Sequence, residues 1–267
     1  MERVDVGGLE IAYRSAGSGP PLVLLHGVLV DSRSWHPQLE DLAADFTVIA
    51  WDAPGCGASS DPPESFRLPD YADCVAGFAA ALELERPDVL GLSFGGGLAL
   101  ELYRRHPTLP RSLVLASAYA GWGGSLPPEV VRERLERGLR DADRPPEDVA
   151  RDFVPGLLTD SAPEAMVEEV VALMVDFHPA GMRAMAHAFA EADLRDALPS
   201  IAVPTLLLYG DADVRSPLPV AESLHEQIPG SELVVMERVG HLSNIEAAER
   251  FNAEVRAFLA SAGAGQG

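Results

Sequence analysis

At 267 residues the chain is long enough to bury a large core, and α/β folds of this length often form a single domain. Its 47% hydrophobic and 23% charged residues are typical of a globular protein, and a formal net charge of −21 argues against nucleic acids and anionic membranes as partners. All 20 basic residues are arginines, which excludes Schiff-base catalysis by lysine and a P-loop lysine.

The N-terminal stretch "MERVDVGGLEIAYRSAG" lacks the basic-then-apolar pattern of a signal peptide. Apolar runs stay well below the roughly 18 residues that span a bilayer. The two cysteines, Cys56 and Cys74, stand in unrelated contexts and indicate neither a disulfide framework nor a zinc site. We therefore expect a cytoplasmic protein that does not bind membranes, and the oligomeric state stays open.

Short apolar runs of strand length recur along the chain. The first, "LEIAYRSAG", alternates like a half-buried strand. The others are nearly continuous and lie at 21–27, 46–52, 88–93, 112–118, 204–210 and 232–239. Continuous runs of this kind are expected when helices cover both faces of a parallel sheet.

Helical patterns separate most of these runs. They lie at 70–85, 94–106, 218–228 and 245–260. The second ends at His106, because Pro107 cannot continue it. The last opens with "SNIE", which predicts a Ser-x-x-Glu capping box. The alternation predicts an α/β fold with a mostly parallel, doubly wound sheet.

One segment breaks the alternation. Residues 121–199 contain no convincing strand, and their helical patterns are separated by "SLPPE", "DRPPED" and "SAPEA". We interpret this segment as a helical cap inserted between two sheet strands. The predicted domains are then a core of residues 1–120 and 200–262, the cap of residues 121–199, and a flexible tail of residues 263–267.

Polar residues with catalytic potential follow several predicted strands. Ligands in open α/β sheets gather at the carboxyl ends of the strands. Ser93 lies between a predicted strand and a predicted helix, Asp211 and Asp213 follow a later strand, and His241 follows the last. This Ser…Asp…His order is typical of the nucleophile elbow.

The residues around Ser93 fit that turn and its chemistry. Gly91 and Gly95 leave room for a sharp turn. A serine hydroxyl needs a base and a carboxylate that orients the base, and His241 with an aspartate could supply both. The backbone N–H groups of Val28 and Phe94 could receive an oxyanion. Such a site needs no metal or organic cofactor.

Five segments together resemble the α/β-hydrolase superfamily over nearly the whole chain: "LLHG", "WDAPGCGAS", "GLSFGGGLALELYRRHP", "LLLYGDADVRSP" and "GHLSNIEAAERFNAEVRAFL". Within it the chain is similar to capped esterases and lactonases, and "GHLSNIE" resembles 3-oxoadipate enol-lactonases. The resemblance implies that Asp213 is the catalytic acid and Asp211 a turn carboxylate. It also implies that His26 orders the oxyanion loop and that Asp52 is structural. Where relatives often have Met, Phe94 implies an altered pocket shape.

The cap is the least informative part of the sequence. Leu29, Trp122 and Leu242 are our candidates for the substrate pocket. Six cap arginines fall among acids at helical spacing, and most of them are expected to form a solvated face. They are Arg132, Arg134, Arg137, Arg140, Arg144 and Arg151. An enol-lactone substrate would require a cationic group near the pocket, and the sequence singles out no arginine for that role.

The leading hypothesis is a serine hydrolase that cleaves a small carboxylic ester or lactone through an acyl-enzyme formed on Ser93. An enol-lactonase or a hydrolase of carbon–carbon bonds would use the same triad. A hydrolase-fold receptor that binds a small molecule without turnover is the alternative from another class, because fold does not fix function.

Overall fold

The computed structural model describes residues 1–264, and eight strands within that range form one sheet. Their order across the sheet is β1-β2-β4-β3-β5-β6-β7-β8. The first two strands are antiparallel, and all pairs from β4 to β8 are parallel. The strands are β1 (Glu2–Val6), β2 (Leu9–Ala16), β3 (Pro21–Leu25), β4 (Thr47–Trp51), β5 (Asp88–Leu92), β6 (Ser112–Ala116), β7 (Thr205–Gly210) and β8 (Glu232–Met236).

Helices cover both faces of the sheet, which confirms the predicted mostly parallel α/β architecture. In the described range the helices outside the β6–β7 connection are α1 (His36–Asp41), α2 (Leu68–Ala81), α3 (Phe94–Arg105), α9 (Leu218–Gln227), α10 (Ser243–Glu246) and α11 (Ala248–Ala264). The β6–β7 connection carries α4 (Trp122–Ser125), α5 (Pro128–Asp141), α6 (Pro146–Phe153), α7 (Glu164–Met174) and α8 (Pro179–Glu191). Short 3₁₀ turns occupy Ser32–Trp35, Leu42–Ala44 and Leu198–Ser200.

Alternate residues of the central strands enter two separate apolar cores. In β3, Val23 and Leu25 pack toward the core shared with α2, α3 and α9, whereas Leu22 and Leu24 pack toward the core shared with α1 and α11. Because both faces are buried, the strands contain few polar residues, and this explains the continuous apolar runs of the sequence.

The predicted capping box at "SNIE" is wrong. The last helical region is divided into α10 and α11, and the backbone at Ala247 is not helical. Leu242 precedes the first helical residue, and its side chain makes no capping hydrogen bond. The Glu246 carboxylate instead accepts hydrogen bonds from the backbone N–H groups of Gly240, at 2.6 Å, and Thr159, at 2.8 Å. Glu246 therefore joins the β6–β7 connection to the loop that carries His241.

The C-terminal tail was expected to begin at residue 263. Helix α11 continues to Ala264, and residues 265–267 lie outside the described range. No helix among the described residues is long and apolar enough to cross a membrane.

Candidate active site

Ser93 occupies a sharp turn between β5 and α3. Its backbone has φ 56° and ψ −112°, a conformation that residues other than glycine rarely adopt. A Cβ atom on Gly91 would overlap the carbonyl oxygen of Gly95, and one on Gly95 would overlap the carbonyl oxygen of Leu25. Both glycines are therefore required by close backbone packing. The strained turn holds Ser93 at the carboxyl edge of the sheet, where strain is often associated with function.

His241 and Asp213 form a buried pair at the same edge. The Nδ1 atom of His241 lies 2.8 Å from Oδ2 of Asp213. The other carboxylate oxygen of Asp213 accepts hydrogen bonds from the backbone N–H groups of Arg215 and Ser216, both at 2.8 Å. Because the carboxylate can only accept, the neutral ring of His241 carries its proton on Nδ1 and has its lone pair on Nε2.

Burial alone would raise the pKa of Asp213. The positive charge of His241 in its protonated form and the hydrogen bonds from His241 and Ser216 outweigh burial, so the pKa of Asp213 lies below its ordinary value. Asp213 therefore stays ionised near neutral pH, which suits a carboxylate that orients an imidazole.

Asp211 lies outside this pair. Its side chain is exposed and accepts a hydrogen bond from the backbone N–H of Arg238 at 2.6 Å. The two aspartates that the sequence left in competition are thus separated by the structure. Only Asp213 contacts His241.

The predicted oxyanion donors are the backbone N–H groups of Val28, in the loop after β3, and of Phe94, the first residue of α3. Among the backbone hydrogen bonds of turns, loops and helix caps within residues 1–264, none has the N–H of Val28 or of Phe94 as its donor. The adjacent Leu29 has a positive φ of 63°, so the loop that carries Val28 is itself strained. His26 braces this loop, since its ring contacts the carbonyl oxygen of Gly27 at 2.7 Å and accepts from the N–H of Ala53 at 2.9 Å.

A cavity of about 240 Å³ lies above Ser93. Its lining includes Ser93 and His241, and also all three residues predicted for the pocket, Leu29, Trp122 and Leu242. Helices α5 and α8 of the β6–β7 connection supply much of the remaining wall. The volume lies below the roughly 300–1,000 Å³ of pockets for drug-sized ligands, so the cavity suits a small molecule.

The family assignment rests on the length of the matching region. Residues 22–254 match a family described as "Alpha/beta hydrolase family". The chain belongs to the α/β-hydrolase family. The predicted resemblance is thereby confirmed at the level of the family.

Individual relatives cover nearly the whole chain. The 2-hydroxymuconate semialdehyde hydrolase of Pseudomonas sp. strain CF600 is 30% identical over 96% of this chain and 93% of its own. A thermophilic esterase from Thermogutta terrifontis, solved with malate bound, has a TM-score of 0.91 at 30% identity, covering 98% of this chain and 99% of its own. The enol-lactonase of Burkholderia xenovorans LB400 has a TM-score of 0.89 at 27% identity, covering 97% and 100%.

Other polar residues of this α/β-hydrolase chain have contacts that explain them without chemistry. The Asp52 carboxylate is fully buried and accepts from the N–H groups of Ser32 and Ala58, both at 2.9 Å, so it holds two loops together. The Phe94 side chain was expected to change the pocket shape. It lies instead in the core, against Tyr71 and Phe189, and does not line the cavity.

Three arginines that line the cavity were not predicted to do so. Most of the six cap arginines, a set that includes Arg134 and Arg137, were expected on a solvated face, and Arg215 was not considered. Arg134, Arg137 and Arg215 all line the cavity. The spacing could have indicated their position. Arg134 and Arg137 are one helical turn apart and share a helix face, and Arg215 is two residues beyond Asp213. No group of three or more His, Cys, Asp or Glu side chains in the described range could hold a metal ion.

Proposed function

We propose that the chain is a serine hydrolase that cleaves a small carboxylic ester or lactone through an acyl-enzyme intermediate. The observation that carries the proposal is the His241–Asp213 pair, at 2.8 Å, in a cavity that also contains the strained Ser93. An ionised acid, a histidine with a free Nε2 and a serine at one cavity wall are the groups that acyl transfer needs.

In the first half of the reaction, the Ser93 oxygen attacks the ester carbonyl while Nε2 of His241 takes its proton. The carbonyl oxygen gains negative charge and accepts from the N–H groups of Val28 and Phe94. Collapse of this intermediate breaks the carbon–oxygen bond, and His241 returns the proton to the departing alcohol. For a lactone, the alcohol stays attached to the acyl group.

In the second half, water attacks the acyl-enzyme and gives its proton to His241. The acid departs as Ser93 recovers its proton, so the net reaction consumes one water and yields an acid and an alcohol. Asp213 stays ionised throughout and stabilises the protonated imidazole. The same residues that form the β6–β7 connection close the cavity, and in this proposal helices α4 to α8 are the cap that selects the acyl group.

The relatives support an ester or lactone substrate, because an esterase and an enol-lactonase match over nearly the whole chain at TM-scores of 0.91 and 0.89. The small cavity restricts the choice to short acyl groups or small lactone rings.

The test uses a fluorophosphonate probe together with short p-nitrophenyl esters. We expect labelling and turnover in the wild type and in Ser223→Ala, because Ser223 is exposed on α9 and does not line the cavity. Ser93→Ala should lose both. Folded wild-type protein that neither labels nor turns over any ester or lactone would identify a binding protein and refute the proposal.

A further inference from the structure

The cavity above Ser93 is rich in positive charge, although the chain has a net charge of −21. Three arginines line it, Arg134 and Arg137 from α5 and Arg215 from the loop after β7. Two acids share the lining, Glu133 and Asp141. The charge presented to a ligand therefore depends on which of the arginines are paired with a carboxylate.

Only one of the three arginines has a carboxylate partner. Asp141 accepts from Arg137 at 3.4 Å and from Arg144, outside the cavity lining, at 2.9 Å. Within residues 1–264, the guanidinium groups of Arg134 and Arg215 lie within 4.0 Å of no carboxylate. Two guanidinium groups thus line the cavity without a carboxylate in contact with either, and Glu133, which lines the same cavity, also forms no ion pair within the described residues.

Neutral groups hold these two side chains in place. Arg134 donates to the Tyr119 hydroxyl at 3.1 Å and to the backbone oxygen of Arg215 at 3.0 Å. Arg215 donates through Nη2 to the backbone oxygens of Phe153, at 2.7 Å, and Pro155, at 3.0 Å. These bonds use only part of the five N–H donors on each guanidinium, so donors remain for a ligand.

The electrostatic surroundings make an anion the natural complement. The Arg215 guanidinium carbon lies 4.4 Å from the centre of the Phe153 ring, and Arg134 lies 5.6 Å from the Trp122 ring. Burial, followed by the charges of Arg137 and Arg134, lowers the pKa of Arg215, although it stays protonated. Partly buried positive charges that repel one another are stabilised when a carboxylate binds between them, and the planar guanidinium matches a carboxylate in shape.

Arg215 is also fixed relative to the proposed triad. Its backbone N–H donates to Asp213 at 2.8 Å, and Asp213 contacts His241. A carboxylate bound by Arg215 would therefore have a defined position relative to the bond under attack.

We infer that the substrate is a short ester or lactone that carries a free carboxylate, and that Arg134 and Arg215 bind this carboxylate. The inference rests on the proposed function and adds the substrate class and two specificity-determining residues. A cavity of about 240 Å³ limits the substrate to a short half-ester of a diacid or a lactone of similar size.

The test compares two methyl esters of nearly equal shape. Monomethyl glutarate carries the carboxylate, and methyl 5-oxohexanoate has a neutral acetyl group in its place. Each hydrolysis releases one proton, so a pH-stat at constant ionic strength measures both. We expect wild-type kcat/KM to favour the charged ester about tenfold or more, mainly through KM, because charge-assisted hydrogen bonds stabilise its binding.

The variant is Arg134→Gln, and its matched control is Arg140→Gln. Arg140 lies on the same helix, is 66% exposed, and does not line the cavity. Arg134→Gln should reduce the preference for the charged ester about tenfold, so that most of it is lost. Arg140→Gln removes the same net charge and should keep the wild-type preference within about twofold.

A second measurement keeps the inference separate from turnover. Binding of glutarate to Ser93→Ala, followed by its effect on the Tm or by calorimetry, should saturate in the presence of Arg134 and be lost in the Ser93→Ala, Arg134→Gln double variant. Absence of saturable glutarate binding overturns the inference. Wild-type protein that hydrolyses the neutral ester as well as the charged one also overturns it, and leaves the proposed serine hydrolase intact. Wild-type protein that neither reacts with the fluorophosphonate probe nor hydrolyses any ester or lactone is instead the failure of the proposed function.

Discussion

The two oxygens of Asp213 have different partners, and this makes Asp213→Asn an informative substitution. One oxygen accepts from the backbone N–H groups of Arg215 and Ser216, both at 2.8 Å, and the other faces Nδ1 of His241 at 2.8 Å. In asparagine only one of these atoms is an acceptor. Because the two backbone donors hold the carbonyl oxygen, the NH₂ group must face His241.

That arrangement reverses the tautomer of His241. The NH₂ group can only donate, so Nδ1 must accept, and the proton moves to Nε2. The ring then has no lone pair with which to take the Ser93 proton. A triad histidine in the wrong tautomer loses about 10⁴ in kcat, which corresponds to about 5.5 kcal/mol in activation free energy.

Asp211→Asn is the matched control. The exposed Asp211 accepts a single backbone hydrogen bond from Arg238, and an asparagine oxygen can still accept it. We expect kcat to change by about twofold at most, as for most surface substitutions. The assay is kcat on a short p-nitrophenyl ester, with circular dichroism and Tm measured for each variant. If folded Asp213→Asn kept more than a tenth of wild-type kcat, or if Asp211→Asn lost more, the assignment of the acid would be refuted.

Three further predictions concern the framework of the site. Gly95→Ala should lower the free energy of unfolding in urea by about 2–3 kcal/mol, because the new Cβ would overlap fixed backbone. Gly263→Ala, with open space around the new Cβ, should raise that free energy by up to about 1 kcal/mol. Equal effects of the two substitutions would contradict this reasoning. Burial lowers the pKa of His26 despite opposing effects of its neighbours. The neutral ring therefore stabilises the fold above a pH of about 6.5, and this contribution is lost on acidification. The free energy of unfolding then falls by up to about 1.4 kcal/mol per pH unit. The stability curve of His26→Gln should therefore be flatter between pH 7.5 and 5.5, and an unchanged slope would count against the neutral ring. Glu246→Gln leaves one acceptor oxygen for two backbone donors, so it should destabilise by about 1.5–3 kcal/mol; a change below about 0.5 kcal/mol would show that this link to Thr159 carries little stability.

The sheet was predictable from the sequence because its central strands are buried on both faces. The predicted strand ends were less accurate, and several extended past the observed ends. The run 112–118 ends as a strand at Ala116, because Ser117, with φ 47°, turns the chain. The buried apolar run continues beyond that turn through Ala118, Tyr119 and Ala120, and the Tyr119 ring packs against Phe189 of α8. Hydrophobicity alone therefore does not mark the point at which pairing stops.

The position of Ser93 was predictable for a local reason, since the glycines two residues away on each side are needed by the turn itself. The arginines of the cavity were not. Periodicity places Arg134 and Arg137 on one face of a helix, but which face covers the cavity depends on contacts with α8 and with the loop after β7. Such contacts join residues far apart in sequence, and a single sequence does not show them.

The most direct measurement of the central claim is the site of covalent modification. Stoichiometric fluorophosphonate should add one label per chain, and peptide mass spectrometry should place it on Ser93 in the wild type and find none in Ser93→Ala. A saturating concentration of an ester substrate should slow the labelling, because the substrate and the fluorophosphonate compete for the same cavity. Label on another residue, or label that persists in Ser93→Ala, would contradict the assignment of Ser93 as the nucleophile.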